Sequence, residues 1–521
     1  MQSASIDTVP REQYDALKHE IVDLRRQLDW LRRQVFGQKS EKRFIDAGAE
    51  QAVLGEGFLA IPDAAPPFKK SRVEAHEREH KPKVPTGDES AQFFDDKVPI
   101  EVISVPNPEM EGLSADQYEV IGEKVSHRLA QRPGSYVILK YVRQVIKRHD
   151  TQAISTPAAP AGVIEGSRAD VSFLAGMLID KFQYHMPLYR QHQRLSGAGV
   201  KVSRAWLTLM AQSAISLLEP IFYAQMASIR ESRVKLMDET PIKAGVAAPG
   251  KMKKGQMWPV MGEQDEICFL FYPGRGGQYV SEALGEKPPD KAVLHTDGYT
   301  VYAKYAQRLG ITHAQCWAHC RREFINARDI EPERAEEALQ AIAGLYAVER
   351  EIRDQELDDH AKLSLRRAKA KPLAERFFKW VDKQFDKQGF LPSSPLTKAL
   401  AYARERREGL TVYLDDAAVA IDTNAIERAL RVIPMGRRNW LFCWTELGAH
   451  QVGIMQSLLV TCKLHEIDPY EYLVDVLQRV SEHPASQVHE LTPRRWKQLF
   501  ADKPLRSDLH QGNRTVNNAA G

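Results

Sequence analysis

The chain has 521 residues, a formal net charge of +3, 43% hydrophobic residues and 27% charged residues. That length is too great for one hydrophobic core, so two to four domains are expected, and a near-neutral total neither requires nor excludes a nucleic-acid partner. No apolar run approaches a membrane span, the polar N-terminus lacks a signal-peptide core, and five scattered cysteines make no secreted disulfide framework, so a cytoplasmic protein without a membrane partner is expected.

Residues 1–44 hold the first element. Tyr14, Leu17, Ile21, Leu24, Leu28, Leu31 and Val35 step alternately by three and four, the spacing of a coiled-coil seam. Self-association through Leu17, Ile21, Leu24, Leu28 and Leu31 is one reading, and an amphipathic helix packed on its own protein is the other. Residues 45–100 read as a linker, with Pro62, Pro66, Pro67, Pro82 and Pro85 among mixed charges.

From 101 to 165 a small basic β module is expected. The run from Lys124 to His149 has seven Lys or Arg residues and no acid. Within it "SYVILKYVRQVIKR" mixes β-branched residues with Lys140, Arg143, Lys147 and Arg148, as on a strand with one wet, positive face. An ordinary exposed face explains the same pattern. Residues 166–230 turn helical, and Ser203 is placed to cap "RAWLTLMAQSAISLL" after a glycine-containing turn. A helix-turn-helix entering a DNA groove and a plain helical hairpin both fit.

Next, "SRVKLMDE", "GQMWPVMGE" and "EICFLFYPG" read as a meander of strands, with Thr240, Pro241 and Gly245 breaking the first. "VSEALGE" and "AKYAQRLG" read as helices, "KAVLHTDGY" and "ITHAQCWAH" as strands. The layout is α/β with a mixed sheet. Residues from about 320 to 410 are helical, another helix covers 424–433, and 446–480 is helical again.

Asp238 and Asp297 each end an apolar strand, where ligands of such sheets gather. Each is also an ordinary turn residue, Asp297 in an Asp-Gly pair. Glu427 flanks the stripe Ile426, Ala429, Leu430 and Ile433, and with Asn424 as N-cap it could complete a capping box.

Taken together, "MDET" at 237–240, "HTDGYTVY" at 295–302, "CWAHCRREF" at 316–324, and "TNAIERALR" with "GRRNWLF" at 423–442 resemble the insertion-sequence-sixty-six family of bacterial transposases. "FGQKSEKR", "HMPLYRQ" and "GAHQVGIMQSLLVTCKLHEIDPYEYL" extend the resemblance over most of the chain, in order. It implies a multidomain, mainly α protein with an N-terminal coiled-coil helix. An RNase H-like α/β catalytic domain would span 231–445, with a helical insertion at about 320–415 and a helical region and tail at 446–521.

The same resemblance implies an Asp-Asp-Glu site of Asp238, Asp297 and Glu427, with His319 as an accessory active-site residue. Arg428, Arg437, Arg438 and Trp440 would meet DNA nearby. Three such carboxylates suit two Mg²⁺ (or Mn²⁺) ions, roughly 3.5–4 Å apart, for cleaving element ends and joining them to target DNA. Partners implied are the terminal inverted repeats and target duplex, further copies of this chain, and small accessory proteins of the same element. One departure stands out: family members often carry paired, zinc-type cysteines around 100–150, and this chain has none before Cys268. The remaining cluster, His313, Cys316, His319 and Cys320, fits no common zinc spacing, so zinc is not expected. A DNA-binding regulator or inactive domesticated relic, and a nuclease that cuts without joining, stand as alternatives.

Overall fold

The computed structural model describes residues 93–94 and 98–510, apart from 112, 115, 133, 249–250, 387–390 and 441–444. The leucine seam (Leu17, Ile21, Leu24, Leu28, Leu31) and nearly all of the expected linker lie outside the described residues.

The basic module forms a four-stranded sheet. Strands β1 (Ile100–Val105), β2 (Tyr118–Arg132), β3 (Ser135–Arg148) and β4 (Ile154–Ser155) are arranged with β3 between β1 and β2, and β4 also on β3. The long β2–β3 hairpin buries Leu129, Ile138, Leu139 and Tyr141. On β3 side chains alternate between faces, so Lys140 and Arg148 share one face while Arg143 and Lys147 take the other. The expectation of one positive face is therefore corrected. Arg143 is drawn to the Pro157 carbonyl, and Arg148 pairs with Asp150 at 2.7 Å.

Three helices follow: α1 (Val171–Phe182), α2 (Leu188–Gly197) and α3 (Arg204–Glu231). Ser203 caps α3 as its sequence position predicts, accepting the Trp206 N–H at 3.1 Å. α3 is long and apolar enough by composition to cross a membrane, which the sequence reading did not anticipate. Its apolar stripe (Leu207, Met210, Ala214, Leu218, Phe222, Ile229) is packed in the main core, which makes it a core helix.

The second sheet has six strands: β5 (Val234–Met237), β6 (Thr240–Ala248), β7 (Lys251–Gly262), β8 (Ile267–Tyr272), β9 (Val293–Thr296) and β10 (Thr312–Gln315). The order is β10-β9-β5-β7-β6, with β8 also on β7. β5, β6 and β8 run antiparallel to β7, whereas β9 and β10 run parallel beside β5. Residues 240–248 do not end the strand, contrary to expectation. The chain resumes pairing at Thr240, and Gly245, at φ 70°, lies in a bulge that only a glycine accommodates comfortably.

Helices α4 (Gly277–Leu284) and α5 (Thr300–Leu309) link the later strands, and a helical block follows: α6 (Trp317–Ala327), α7 (Pro332–Asp354), α8 (Lys371–Asp386) and α9 (Pro395–Glu405). The block has its own core of Trp317, Phe324, Leu339, Ile342, Phe377 and Phe378. The chain then returns through α10 (Asn424–Leu430) and α11 (Val432–Trp440), and ends in α12 (Glu446–Leu464), α13 (Pro469–Arg479) and short turns.

Among the described residues β8 pairs only with β7, so its other edge needs partners. α12 supplies them from positions one helical turn apart: Ser457 accepts the Phe269 N–H at 2.8 Å and Thr461 the Ile267 N–H at 3.2 Å. Gln225 of α3 donates to the Ile267 carbonyl at 2.8 Å. This approach is close enough that a Cβ on Gly453 would lie 2.2 Å from the Phe269 carbonyl oxygen. Gly453→Ala is expected to cost about 1–3 kcal/mol of stability by forcing α12 off the sheet, readable as a lower denaturant midpoint.

Candidate active site

Asp238 sits where the β5–β6 strand is interrupted. The antiparallel register (Met237 opposite Val260, Thr240 opposite Met257) sets Asp238 opposite Pro259. Proline has no N–H to give to the ladder, and the one bond there, Asp238 N–H to the Pro259 carbonyl, is long at 3.4 Å. The interruption is thus written into β7. On its other side β5 pairs with β9, Leu236 against His295, and two residues further that register sets Asp238 beside Asp297. Neighbouring strands lie about 4.8 Å apart.

Asp297 accepts the Tyr299 N–H through Oδ1 at 2.9 Å, so it does form the turn its Asp-Gly setting predicts. Gly298 also leaves room for Arg406: a Cβ there would lie 2.7 Å from Arg406 Nε, and Arg406 donates to the Gly298 carbonyl at 3.1 Å.

Glu427 comes from α10, and the helical block presents it. The residue preceding the helix is Thr423, not Asn424, and it makes no side-chain cap bond, so the capping-box reading of Glu427 is corrected. Asn424 instead donates to Asp422. Glu427 faces the Thr423 hydroxyl at 3.5 Å, His319 Nδ1 at 3.6 Å and Arg322 at 3.6 Å. The preceding loop is pinned to the start of α6: Trp317 N–H donates to the Ile421 carbonyl at 3.2 Å, and Thr423 N–H reaches Cys316 Sγ at 3.3 Å. Tyr346 of α7 holds Asp422 at 2.8 Å. The expected strand through "ITHAQCWAH" ends at Gln315, which puts His319 on the first turn of α6 and turns its ring toward Glu427.

The three acids therefore come together. Burial pushes the Asp238 carboxyl up to about 7, opposed by the Glu239 N–H bond and reinforced by the charges of Glu239, Asp297 and Glu427. An acid whose folded pKa is raised binds its proton more tightly folded than unfolded, so its contribution to stability declines as pH rises from about 4 to 7. In EDTA the melting temperature is expected to fall between pH 5 and 8 (roughly the two sides of that window). Mg²⁺ should restore it at the higher pH, and Asp238→Asn should flatten the difference.

Glu239, which strand alternation puts on the face opposite Asp238, is not an idle neighbour. Its side chain is 3% exposed, paired with Arg275 and accepting the Tyr302 hydroxyl. Arg275 stacks on Tyr299 with its guanidinium carbon 4.5 Å from the ring centre. Burial, and then the Glu239 charge, push the Tyr302 hydroxyl well above its ordinary range, so it stays a donor. Sequence reasoning missed Arg275, Tyr299 and Tyr302. The spacing "DGYTVY" puts one tyrosine just before α5 and the other in its first turn, beside Asp297, which was the available signal.

Of the expected DNA contacts, Arg428 is exposed on α10 and Arg437 donates to the Pro241 carbonyl, while the side chains of Arg438 and Trp440 lie outside the described residues. His313, Cys316, His319 and Cys320, the cluster with soft-ligand chemistry, do not assemble as a set of four. Cys316, His319 and Glu427 bring ligand atoms within 4.8 Å of one another. Cys320 is buried in the core of the helical block, and His313 turns to Thr296 at 2.8 Å.

A mixed β-sheet whose strand ends, with one helix, bring several carboxylates together defines the class as an α/β protein with an acidic site. Comparison with known proteins gives the family. The model described as "Transposase IS66 family" matches residues 166–451, "IS66 C-terminal element" matches 457–494, and "Transposase C of IS166 homeodomain" matches 23–102. The chain belongs to the IS66 family of transposases, which makes it a nucleic-acid-modifying enzyme of a mobile insertion sequence, with DNA as partner and divalent-metal chemistry typical of its class. The homeodomain match overlaps the segment read as a linker. Two proteins of Sinorhizobium fredii are similar over nearly the whole length. Uncharacterized protein y4hP is 28% identical, covering 92% of this chain and 90% of the relative. Uncharacterized protein y4jD is 27% identical, covering 93% and 96%.

Proposed function

We propose that this chain is a DNA transposase that cuts the ends of its insertion sequence and joins them to target DNA, acting in the bacterial cytoplasm. Its catalytic carboxylates are Asp238, Asp297 and Glu427. The observation that carries the reading is their convergence from two adjacent strand ends and a distant helix, close enough for the charges of Asp297 and Glu427 to hold up the Asp238 proton. The sheet supports an RNase H-like catalytic domain: β5, β7 and β8 form an antiparallel meander, and β9 then β10 add in parallel beside β5.

The donor set fits Mg²⁺ or Mn²⁺. It is all carboxylate oxygen, and like charges crowded at Asp238 call for a cation. Asp238, Asp297 and Glu427 would hold two ions, which when bound supply an activated water and charge stabilisation at the scissile phosphate. The chain's own groups do the rest. The Tyr299 N–H fixes the Asp297 carboxylate. Thr423, His319 and Arg322 orient Glu427, and Arg322, 56% exposed, is free on its outer side to meet a phosphate. Arg275 and Tyr302 neutralise Glu239 so that it does not compete for the ions. Arg428 and Arg437 remain candidate DNA contacts, as do Lys140, Arg143, Lys147 and Arg148 on β3. Assembly through residues 14–35 and help from small proteins of the same element complete the reading.

Incubating the full chain with duplex element ends and Mg²⁺ tests it. Cutting followed by joining is the expected result. Binding alone would make the chain a regulator or relic, and cutting without joining a nuclease.

A further inference from the structure

We propose that Lys243 and Lys254, opposite one another on β6 and β7, form a short phosphate-binding track for duplex DNA on its way to the carboxylate site. The inference rests on DNA being the substrate.

From Pro241 to Gly262 the chain contains four lysines and no acid. Lys243, Lys251, Lys253 and Lys254 are all exposed. A surface kept merely soluble mixes both signs, so this run of one sign is unusual. Lys253 has a partner, Glu446 at 2.9 Å. Lys243, Lys251 and Lys254 have no ion pair among the described residues.

The pairing sharpens the point. Lys243 and Lys254 lie directly opposite one another across the antiparallel ladder. Like charges in that position repel and weaken a sheet, and nothing in the local fold requires lysine at either place. A local conflict of this kind marks a position kept for something outside the fold. An anion laid across both strands relieves it.

Position supplies the direction. β6 continues the strand that carries Asp238, with Lys243 five residues beyond it, or about 16 Å along an extended chain, an odd step that puts Lys243 and Lys254 on the face of Glu239 rather than that of Asp238. That is about five base-pair steps of duplex. A site made of Asp238, Asp297 and Glu427 repels a phosphate backbone, so DNA must be held by positive charge on the approach. Arg437 braces the start of this track by donating to the Pro241 carbonyl, which joins β6 to the helix after Glu427.

The test uses the full chain and fluorescence anisotropy with a labelled duplex of about 30 base pairs in EDTA, from about 50 to 200 mM salt. Lys243→Ala/Lys254→Ala should bind about tenfold more weakly at the low-salt end. Its plot of log affinity against log salt should be shallower by about two, one phosphate contact per lysine. Its melting temperature should be no lower than that of the unsubstituted chain, since a repulsive pair has been removed. Lys243→Arg/Lys254→Arg should restore affinity and slope. An unchanged slope, or failure of the arginine pair to restore it, overturns the proposal. If the alanine variant binds normally while Mg²⁺-dependent cutting persists in the unsubstituted chain, only the lysine track is wrong. If the unsubstituted chain does not bind duplex at all, the transposase reading goes with it.

Discussion

Asp297→Asn is expected to bind element ends as the unsubstituted chain does, yet to cut and join them more slowly by on the order of a thousandfold or more. The substitution keeps the size of the side chain and the oxygen that accepts the Tyr299 N–H at 2.9 Å, so the turn and the start of α5 survive. What it removes is one negative charge from the donor set beside Asp238. The Asp238 proton should then leave more easily, because one of the charges that holds it up has gone. A binding-only residue would show the reverse pattern, a weaker complex that still cuts once formed. Quenched single-turnover assays on pre-bound ends separate the two.

Arg366→Ala should be the most damaging substitution far from the carboxylates, at about 3–5 kcal/mol of stability. Arg366 is 2% exposed, paired through Nε and Nη2 with both oxygens of Glu349 at 2.8 Å. Its Nη1 donates to the carbonyls of Tyr413, Asp416 and Val419 at 2.7, 3.1 and 3.1 Å. Those carbonyls belong to the loop that leads to Ile421, Thr423 and finally Glu427. Removing the guanidinium leaves Glu349 without its partner and three carbonyls without a donor. Denaturation followed by circular dichroism reads the loss. Because the loop would no longer hold α10 in place, cutting should fall under conditions where the variant remains folded.

The elements that carry the three acids were legible from local patterns, while the grouping of the acids into one candidate site came from the family resemblance. A short apolar run ending in Asp238 or Asp297, and the stripe beside Glu427, each announce an element and its boundary. The sheet layout follows from the meander and the strand–helix alternation. What stayed hidden depends on contacts between distant parts of the chain. That the strand resumes at Thr240 is decided by β7, whose Pro259 interrupts the ladder opposite Asp238 and whose neighbours then restore it. Glu239 reads as a bystander on the face opposite Asp238 until Arg275 and Tyr302, 36 and 63 residues away, close on it. Glu427 resembles a capping residue until Cys316 and Trp317 fix the preceding loop. The four basic residues of β3 read as one positive face only while the strand is considered in isolation from its regular pairing. The length and apolarity of α3 as one helix were not read from the sequence, and packing against the sheet and α12 makes it a core helix.

The central claim is that Asp238, Asp297 and Glu427 act as one unit, and Glu427 is its most exposed link, since it arrives from the helical block. Cutting rates should be measured for Asp297→Asn, Glu427→Gln and the double variant on identical pre-bound ends with saturating Mg²⁺. If the acids form one site, Glu427→Gln alone should lose nearly as much as the double variant, because groups acting together are grossly non-additive. Cutting by Glu427→Gln within about tenfold of the unsubstituted rate would contradict it, since tenfold is about 1.4 kcal/mol, too little for a lost metal ligand.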